Sequence, residues 1–186
     1  MPERALKKYF GFDSFKKGQK EVISRILDGQ SAAAIFPTGA GKSLCYQLPA
    51  LLLPAMTLVV SPLLSLMKDQ LDFLISRQIP AARLDSTLDR DEINRIFDAA
   101  RKGELKILMI SVERFKNERF RHHLKNMAVS LLVVDEAHCI SEWGHNFRPE
   151  YLNLPFYRDE FAIPQTLLLT ATASPPVIAD MGEKFG

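Results

Sequence analysis

Residues 32–43 read Ala-Ala-Ala-Ile-Phe-Pro-Thr-Gly-Ala-Gly-Lys-Ser, and the segment that follows has helical periodicity. An apolar run followed by a glycine-rich turn and a lysine is typical of a buried parallel strand that leads through a phosphate-binding loop into a helix. The turn needs glycines because its backbone N–H groups must approach phosphate oxygens closely. This stretch predicts a parallel sheet with a phosphate site at the carboxyl end of one strand.

The rest of the chain alternates short apolar runs with longer segments of helical period, which is the pattern of repeated strand–helix–strand units. Strands are predicted at 32–36, 57–60, 82–84, 106–110, 131–134 and 166–169, and helices at 19–27, 42–52, 63–77, 90–102, 120–126 and 176–185. No repeat, low-complexity tract or Gly/Ser linker divides the 186 residues. We therefore expect one α/β domain over residues 1–186, a three-layer sandwich with a mainly parallel central sheet.

Composition and charge limit the classes of protein to which this chain can belong. An apolar content of 47% is enough to build an ordinary buried core. The formal net charge of +2 does not by itself indicate a nucleic-acid binder, but residues 101–125 carry eight Lys or Arg against three Glu. That segment is either a face that contacts a phosphate backbone or a solvated helix surface.

The sequence also predicts a soluble protein in a reducing compartment, and no membrane association. The N-terminus lacks an apolar signal segment, and the longest apolar run, 48–60, is interrupted by prolines. Cys45 and Cys139 lie in apolar or motif segments without the Cys-x-x-Cys spacing of a zinc site, so neither a disulfide framework nor bound zinc is expected. A cytoplasmic location, at the nucleoid in a bacterium, or a nuclear one fits these features.

The phosphate-binding loop supplies the first half of a predicted ATP site. Lys42 is expected to reach the β- and γ-phosphates, and the Ser43 hydroxyl is expected to bind Mg²⁺, a cation that prefers oxygen ligands. The alternative is a glycine-rich turn that binds no ligand. The candidate nucleotide-binding residues of the loop are Thr38, Gly39, Ala40, Gly41, Lys42 and Ser43.

The second half of the predicted site follows the apolar strand at 131–134. Asp135 is expected to hold Mg²⁺ directly or through water, and Glu136 to polarise the water that attacks the γ-phosphate. Taken alone, an adjacent Asp-Glu pair is usually a surface feature. Here a buried strand precedes it and a phosphate loop lies upstream, so ATP and Mg²⁺ are the predicted cofactors.

Several motifs resemble those of superfamily-two helicases. Residues 135–138, Asp-Glu-Ala-His, resemble the DEAH motif, and residues 169–173, Leu-Thr-Ala-Thr-Ala, resemble the coupling motif of these enzymes. Phe36, where the strict phosphate loop has its first glycine, matches the helicase form of the loop. The stretches 10–19, 60–70 and 138–151 narrow the resemblance to the first RecA-like ATPase lobe of RecQ-family DNA helicases, from about residue 10 onward.

The resemblance implies an adenine contact near the N-terminus. In the family this stretch binds the base, so Gln19 would hydrogen-bond the adenine edge, Phe12 would pack on its face and Lys16 would lie nearby. The family usually has Arg where this chain has Lys16, and an ammonium cannot stack on a ring as a guanidinium does. For Phe12 the alternative is an ordinary place in the core.

The resemblance further implies DNA-contacting or coupling residues. A lone Trp beside glycine and polar residues is poorly placed for a core, whereas aromatic residues beside cations suit base stacking and phosphate contact. Core packing remains an alternative for Trp143 and Tyr151, and a local salt bridge for Arg114. His138 is either a catalytic link from the Mg site to the coupling motif or a structural histidine. The implied set is Ser61, Pro62, Arg114, Trp143, His145, Phe147, Arg148, Thr170 and Thr172, with Lys68 and Gln70 as weaker candidates.

Helicases of this kind hydrolyse ATP between two lobes, and the second lobe normally contributes arginines. Residues 1–186 leave no room for that lobe, so we expect a single, monomeric ATP-binding lobe that turns ATP over poorly, because a missing arginine finger lowers turnover by about 10³ to 10⁵-fold. Its expected partners are single-stranded or forked DNA and the second lobe. Two alternatives stay open: an ATP-dependent binding switch without unwinding, and an RNA helicase lobe.

Overall fold

A six-stranded sheet forms the middle layer of the structure, a computed structural model in which residues 2–186 are described. The strand order is β1-β6-β5-β2-β4-β3, and every neighbouring pair is parallel. The predicted α/β sandwich is therefore confirmed, and the six predicted strands are present with ends shifted by at most two residues. They are β1 Ala32–Ile35, β2 Met56–Val60, β3 Ala81–Leu84, β4 Ile107–Ile110, β5 Val129–Val134 and β6 Thr166–Thr170.

Helices cover both faces of the sheet. The bounds are α1 Pro2–Ala5, α2 Gln19–Leu27, α3 Leu44–Leu52, α4 Leu64–Ser76, α5 Arg90–Arg101, α6 Glu118–Leu124, α7 Leu154–Glu160 and α8 Pro175–Phe185. A π-helical segment, Leu6–Phe10, continues α1, and 3₁₀ turns lie at Val112–Lys116, Ala137–Ile140 and Pro149–Asn153. Helix α3 begins two residues later than predicted, because the residues before Leu44 form tighter turns. The short α1, α7 and 3₁₀ turns were not predicted.

Local signals explain where two of the helices begin. Asp89 caps α5 by accepting the N–H of Glu92 at 2.8 Å, and the Glu92 carboxylate accepts the N–H of Asp89 at 2.9 Å. Asn117 caps α6 by accepting the N–H of Phe120 at 2.9 Å, so that helix begins before the predicted residue 120. Such caps satisfy N–H groups that have no partner within the helix.

Two apolar cores lie on opposite faces of the sheet. Along β5, Leu131 and Val133 face the core formed with α2, α3 and α4, whereas Leu132 and Val134 face the core formed with α5, α6 and α8. Alternate side chains of a strand point to opposite faces, so a strand buried on both sides must be apolar throughout. Edge strand β1 instead alternates in burial.

The topology brings the predicted motifs to one edge of the sheet. Strands β1, β6, β5 and β2 are adjacent and parallel, so the segments that follow them leave the sheet at the same side. The ladder continues into these segments: the Phe36 N–H donates to Thr170 O at 3.0 Å, and the Asp135 N–H donates to Val60 O at 2.9 Å. In a parallel sheet, ligands bind at the edge formed by the carboxyl ends of the strands. Within residues 2–186, every helix falls short of the length and apolar character needed to cross a bilayer.

Candidate active site

The loop between β1 and α3 forms an open cradle. The Ala40 N–H donates to Pro37 O at 3.0 Å, and the Leu44 N–H donates to Gly41 O at 3.3 Å as the loop enters α3. Gly39 has a φ of +82°, in the left-handed region that favours glycine. Thr38 and Gly39 are exposed, so a phosphate can reach this part of the loop.

Gln19 holds the phosphate loop from behind. Its side chain is buried, its Nε2 donates to Gly41 O at 2.9 Å and to Ala40 O at 3.4 Å, and its Oε1 accepts the Lys16 N–H at 2.8 Å. Gly41 has a φ of +80°, in the left-handed region that favours glycine, and a β-carbon there would lie 2.5 Å from Gln19 Nε2, so that the amide would have to shift. In this arrangement the amide braces the loop, and its contact with an adenine edge remains a prediction.

The two other predicted adenine-binding residues lie at the rim of the same loop. Lys16 Nζ donates to Gly39 O at 3.1 Å. Phe12 is 48% exposed, whereas Phe10 is only 1% exposed, so the core alternative is wrong for Phe12 and applies to Phe10. Phe12 lines a pocket next to Gly41, where an aromatic face is accessible to a ligand.

Asp135 directly follows β5 and carries a buried carboxylate. Its Oδ1 accepts the Glu136 N–H at 3.0 Å. Burial raises the pKa of Asp135 to about 6, with the neighbouring Glu136 adding to the rise and Lys42 opposing it. A divalent cation at this position would favour the ionised carboxylate, because its positive charge would replace the stabilisation by water that burial removes.

Glu136 adopts a left-handed backbone conformation, with a φ of 51° and a ψ of 47°. This turn takes its side chain out of the strand direction, and Glu136 Oε1 lies 3.7 Å from Lys42 Nζ. The loop after β1 and the acidic pair after β5 therefore meet, as predicted from their positions after parallel strands. A non-glycine residue held in this region is strained, and such strain is common at functional sites.

The strain at Glu136 should be measurable as stability. We expect the free energy of unfolding of Glu136→Gly to be about 1 kcal/mol higher than that of Glu136→Ala, because glycine has no β-carbon to clash in the left-handed region. The alanine variant is the matched control, since both variants lose the carboxylate. Urea denaturation measures the difference, and a less stable glycine variant would contradict the strain.

The Ser43 hydroxyl accepts a hydrogen bond from helix α4. Gln70 of α4 donates from Nε2 to Ser43 Oγ at 2.7 Å, while its Oε1 accepts the Tyr46 hydroxyl and Gln47 Nε2, the latter at 3.2 Å. Gln70, a weaker DNA candidate, thus lies against the predicted Mg²⁺ ligand. The available signal was its spacing, three residues after the buried Met67 on the inward face of α4.

His138 connects the acidic segment to the coupling motif. Its Nδ1 lies 2.8 Å from Thr170 Oγ1, which itself donates to Thr172 O at 3.0 Å. With that hydroxyl proton donated to Thr172 O, the hydroxyl oxygen can accept a hydrogen bond from Nδ1–H, which also faces Glu136 Oε2 at 3.3 Å. Burial lowers the pKa of His138, with His145 and Lys42 adding to the effect and Glu136 opposing it. His138 therefore contacts the coupling motif at Thr170, while Thr172 joins through its carbonyl and its side chain is exposed. The catalytic role of His138 stays a prediction.

The aromatic-rich loop, residues 141–148, leaves this edge of the sheet. Trp143 is 74% exposed and His145 is also exposed, while Phe147 is half-buried. The core alternative is therefore wrong for Trp143. It is right for Tyr151, which is fully buried and donates its hydroxyl to Asp135 O at 3.2 Å.

Arg148 ties the end of the aromatic-rich loop to two other segments. Its guanidinium donates to Pro62 O at 3.4 Å and to Glu113 Oε1 at 3.3 Å. Together with Arg114 and Ser111 these residues line a cavity of about 440 Å³. The cavity is lined by two cationic side chains, Arg114 and Arg148, and by two carboxylates, one of which, Glu113, already pairs with Arg148.

The stretch 61–64 follows β2 and leads into α4, and only some of its backbone N–H groups are free for the predicted phosphate contact. The Ser61 N–H donates to Ile110 O at 3.0 Å as part of the sheet, and Pro62 has no N–H, so neither residue has a backbone N–H free for a phosphate. The N–H groups without a helical partner belong to the first turn of α4, which begins at Leu64. Any phosphate contact by this segment would use that turn.

The basic stretch 101–125 divides among several local contacts. Arg101 pairs with Asp98, Lys116 with Glu150 at 3.7 Å and Lys125 with Glu160 at 3.8 Å. Pairing of this kind favours the solvated-surface interpretation over a continuous backbone-binding face. Arg114, which lines the cavity, is the member of this stretch that lies near the site.

Fold and site together define a RecA-like lobe with a phosphate loop and an adjacent acidic pair. The sequence profile of the DEAD/DEAH box helicases matches residues 16–181, and the chain belongs to this family. The RecQ resemblance is also confirmed, because the chain is similar to proteins that bear that name.

The relatives and neighbours agree with this assignment. The probable ATP-dependent DNA helicase RecS of Bacillus subtilis is 47% identical over 180 residues, or 96% of this chain and 36% of RecS. The ATP-dependent DNA helicase RecQ of Bacillus subtilis is 44% identical over 175 residues, or 93% of this chain and 30% of RecQ. A hypothetical ATP-dependent RNA helicase from Sulfolobus tokodaii shares the fold, with a TM-score of 0.72 at 20% identity over 98% of this chain and 53% of that one. The chain spans about a third of the length of RecS and RecQ.

Proposed function

We propose that the chain is the ATP-binding motor lobe of an ATP-dependent DNA helicase, in which ATP hydrolysis drives movement along single-stranded or forked DNA. One observation carries the proposal: Lys42 of the phosphate loop lies 3.7 Å from Glu136 of the acidic pair. That spacing puts a phosphate-binding cation and a water-orienting carboxylate at the same point. Hydrolysis of this kind depends mainly on positioning and electrostatics.

The residues present fit a magnesium nucleotide. Ser43 and Asp135 offer a hydroxyl and a buried carboxylate, the oxygen ligands that Mg²⁺ prefers, and Gln70 leaves one lone pair of Ser43 Oγ free. Mg²⁺ bound there would neutralise phosphate charge. The Lys42 ammonium would hold the terminal phosphates, and the Glu136 carboxylate would orient the attacking water.

Nucleic acid would bind beside this site, over the aromatic-rich loop. Trp143 offers an exposed indole for base stacking, and Arg114 and Arg148 line a cavity in which their guanidinium groups would contact a backbone phosphate. The relatives named DNA helicases favour DNA as the substrate. A second helicase lobe, with its arginines, would be carried by the remainder of a longer protein such as these relatives.

A comparison of DNA with RNA tests the nucleic-acid part of the proposal. Trp143 is the only Trp of the chain, so its fluorescence reports binding without a label. We expect single-stranded DNA to quench this emission, and an RNA strand of the same sequence to reach half-maximal quenching only at a much higher concentration. Equal concentrations for RNA and DNA would instead support an RNA helicase lobe, and no quenching by either strand would contradict the assigned face.

A further inference from the structure

A buried hydroxyl anchors the aromatic-rich loop to a distant helix. Ser141 is fully buried, and its Oγ donates to Asp180 Oδ2 of α8 at 2.5 Å. The same Oγ accepts the backbone N–H of Trp143 at 3.2 Å. A hydroxyl has one donor and two acceptor lone pairs, so it can make both bonds at once. Ser141 therefore joins α8 directly to the backbone of the residue that carries the exposed indole.

Backbone hydrogen bonds fix the two ends of the aromatic-rich loop. The Ser141 N–H donates to His138 O and the Gly144 N–H to Ser141 O, both at 3.1 Å, and the Arg148 N–H donates to Cys139 O at 2.9 Å. A β-carbon at Gly144 would lie 2.6 Å from His138 O, so the loop packs directly on the 3₁₀ turn after the acidic pair. Among the hydrogen bonds of residues 2–186, the one from the Ser141 side chain is the only one that joins the start of this loop to α8.

Helix α8 begins just after the coupling motif that ends β6. Thr170 of that motif already contacts His138 at 2.8 Å, on the nucleotide side. The bond between Ser141 and Asp180 makes a second connection between the same two chain segments, on the side of the loop. A hydrogen bond to a carboxylate is short and strong when partly shielded from water, and Asp180 has a side chain only 20% exposed.

We propose that Asp180 is a positioning residue for Trp143. Through Ser141 it fixes the start of the aromatic-rich loop, so that the indole is held over the nucleic-acid face and its displacement is transmitted to α8 and the coupling motif. The positioning part stands on the hydrogen bonds alone. The transmission part rests on the proposed function.

The single Trp provides a readout that does not need DNA. In the 186-residue chain we expect Ser141→Ala and Asp180→Ala to make the Trp143 indole more mobile, seen as a larger rapidly decaying fraction of its fluorescence anisotropy. Asp180→Asn keeps an acceptor oxygen for Ser141 and should restore most of the parent decay. ATP affinity should stay unchanged in all three variants, because neither residue touches the nucleotide site.

Lys184 offers a matched control on the same helix. Its Nζ lies 3.5 Å from Asp180 Oδ2, and it contacts the carboxylate without contacting Ser141. Lys184→Gln should therefore leave the anisotropy decay of Trp143 as in the parent. If an alanine variant does not fold, Ser141→Cys supplies the comparison, because a thiol of similar size forms only weak hydrogen bonds.

The transmission part is measured as DNA-stimulated ATP turnover in the two-lobe protein. We expect Asp180→Ala to lower the DNA-stimulated rate of ATP hydrolysis about 10-fold, since small misplacements of a positioned group can lower rates by one to two orders of magnitude. An unchanged anisotropy decay in Asp180→Ala and Ser141→Cys would overturn the positioning role. If the variants have a more mobile indole but the parent two-lobe protein shows no DNA-stimulated turnover, the proposed function is overturned and the positioning role stands.

Discussion

Glu136→Gln should lower single-turnover ATP hydrolysis by about 10² to 10⁴-fold, the range typical of losing a positioned acid–base group. The amide has nearly the size of the carboxylate but cannot accept a proton or bear the charge that orients water. ATP binding should change little, because Lys42, Ser43 and the loop backbone remain. Mixing excess two-lobe protein with radiolabelled ATP and following phosphate release measures the effect.

Asp159→Asn is a suitable control for Glu136→Gln. It removes a carboxylate in the same way, but the Asp159 side chain is 70% exposed and pairs with Arg158, on α7. Its hydrolysis rate should match that of the parent. If Glu136→Gln retained the parent rate while binding ATP normally, another group would have to orient the water, and the assignment of Glu136 would be wrong.

Lys42→Ala should weaken the binding of Mg-ATP by roughly 10 to 100-fold. A hydrogen bond to a charged group contributes about 1.5 to 3 kcal/mol, and each 1.4 kcal/mol is a factor of ten in affinity. The substitution also removes the cation that lies 3.7 Å from Glu136, which leaves two carboxylates without a counter-charge. Isothermal titration calorimetry on the 186-residue chain measures the affinity directly.

Lys125→Ala is the matched control for this binding measurement. The Lys125 side chain is 60% exposed and pairs with Glu160 of α7 at 3.8 Å. Its loss should leave the affinity for Mg-ATP within about twofold, since exposed ion pairs contribute little. Equal affinities in the parent and Lys42→Ala would place the nucleotide somewhere other than the loop after β1.

Much of this site could be predicted because parallel strands deliver their motifs to one edge. Lys42 and Glu136 are far apart in sequence, yet each follows an apolar strand closely, and the two strands end on the same side of the sheet. The strands themselves were recognisable because burial on both faces demands continuous apolar runs, as in β2 and β4. Turn chemistry then marked the phosphate loop.

The contacts that were missed depend on which way individual side chains point. Gln19 turns its amide to the loop backbone, and Gln70 turns inward to Ser43, although both lay in stretches assigned to ligands. Tyr151 is buried beneath Asp135 because the 3₁₀ turn that carries it folds back under the strand end. Neither periodicity nor spacing reports a contact such as that between Ser141 and Asp180, since it joins segments brought together only by the completed sheet.

The most direct test of the central claim is steady-state ATP hydrolysis by the 186-residue chain, with and without single-stranded DNA, beside the same chain joined to a second helicase lobe. Lys42→Ala and Glu136→Gln serve as controls for contaminating activity. We expect the chain alone to bind ATP but turn it over slowly, and the second lobe to raise DNA-stimulated turnover by about 10³ to 10⁵-fold, the effect of a supplied arginine finger. Robust DNA-stimulated turnover by the chain alone, lost in both variants, would contradict the claim that this lobe needs a second one.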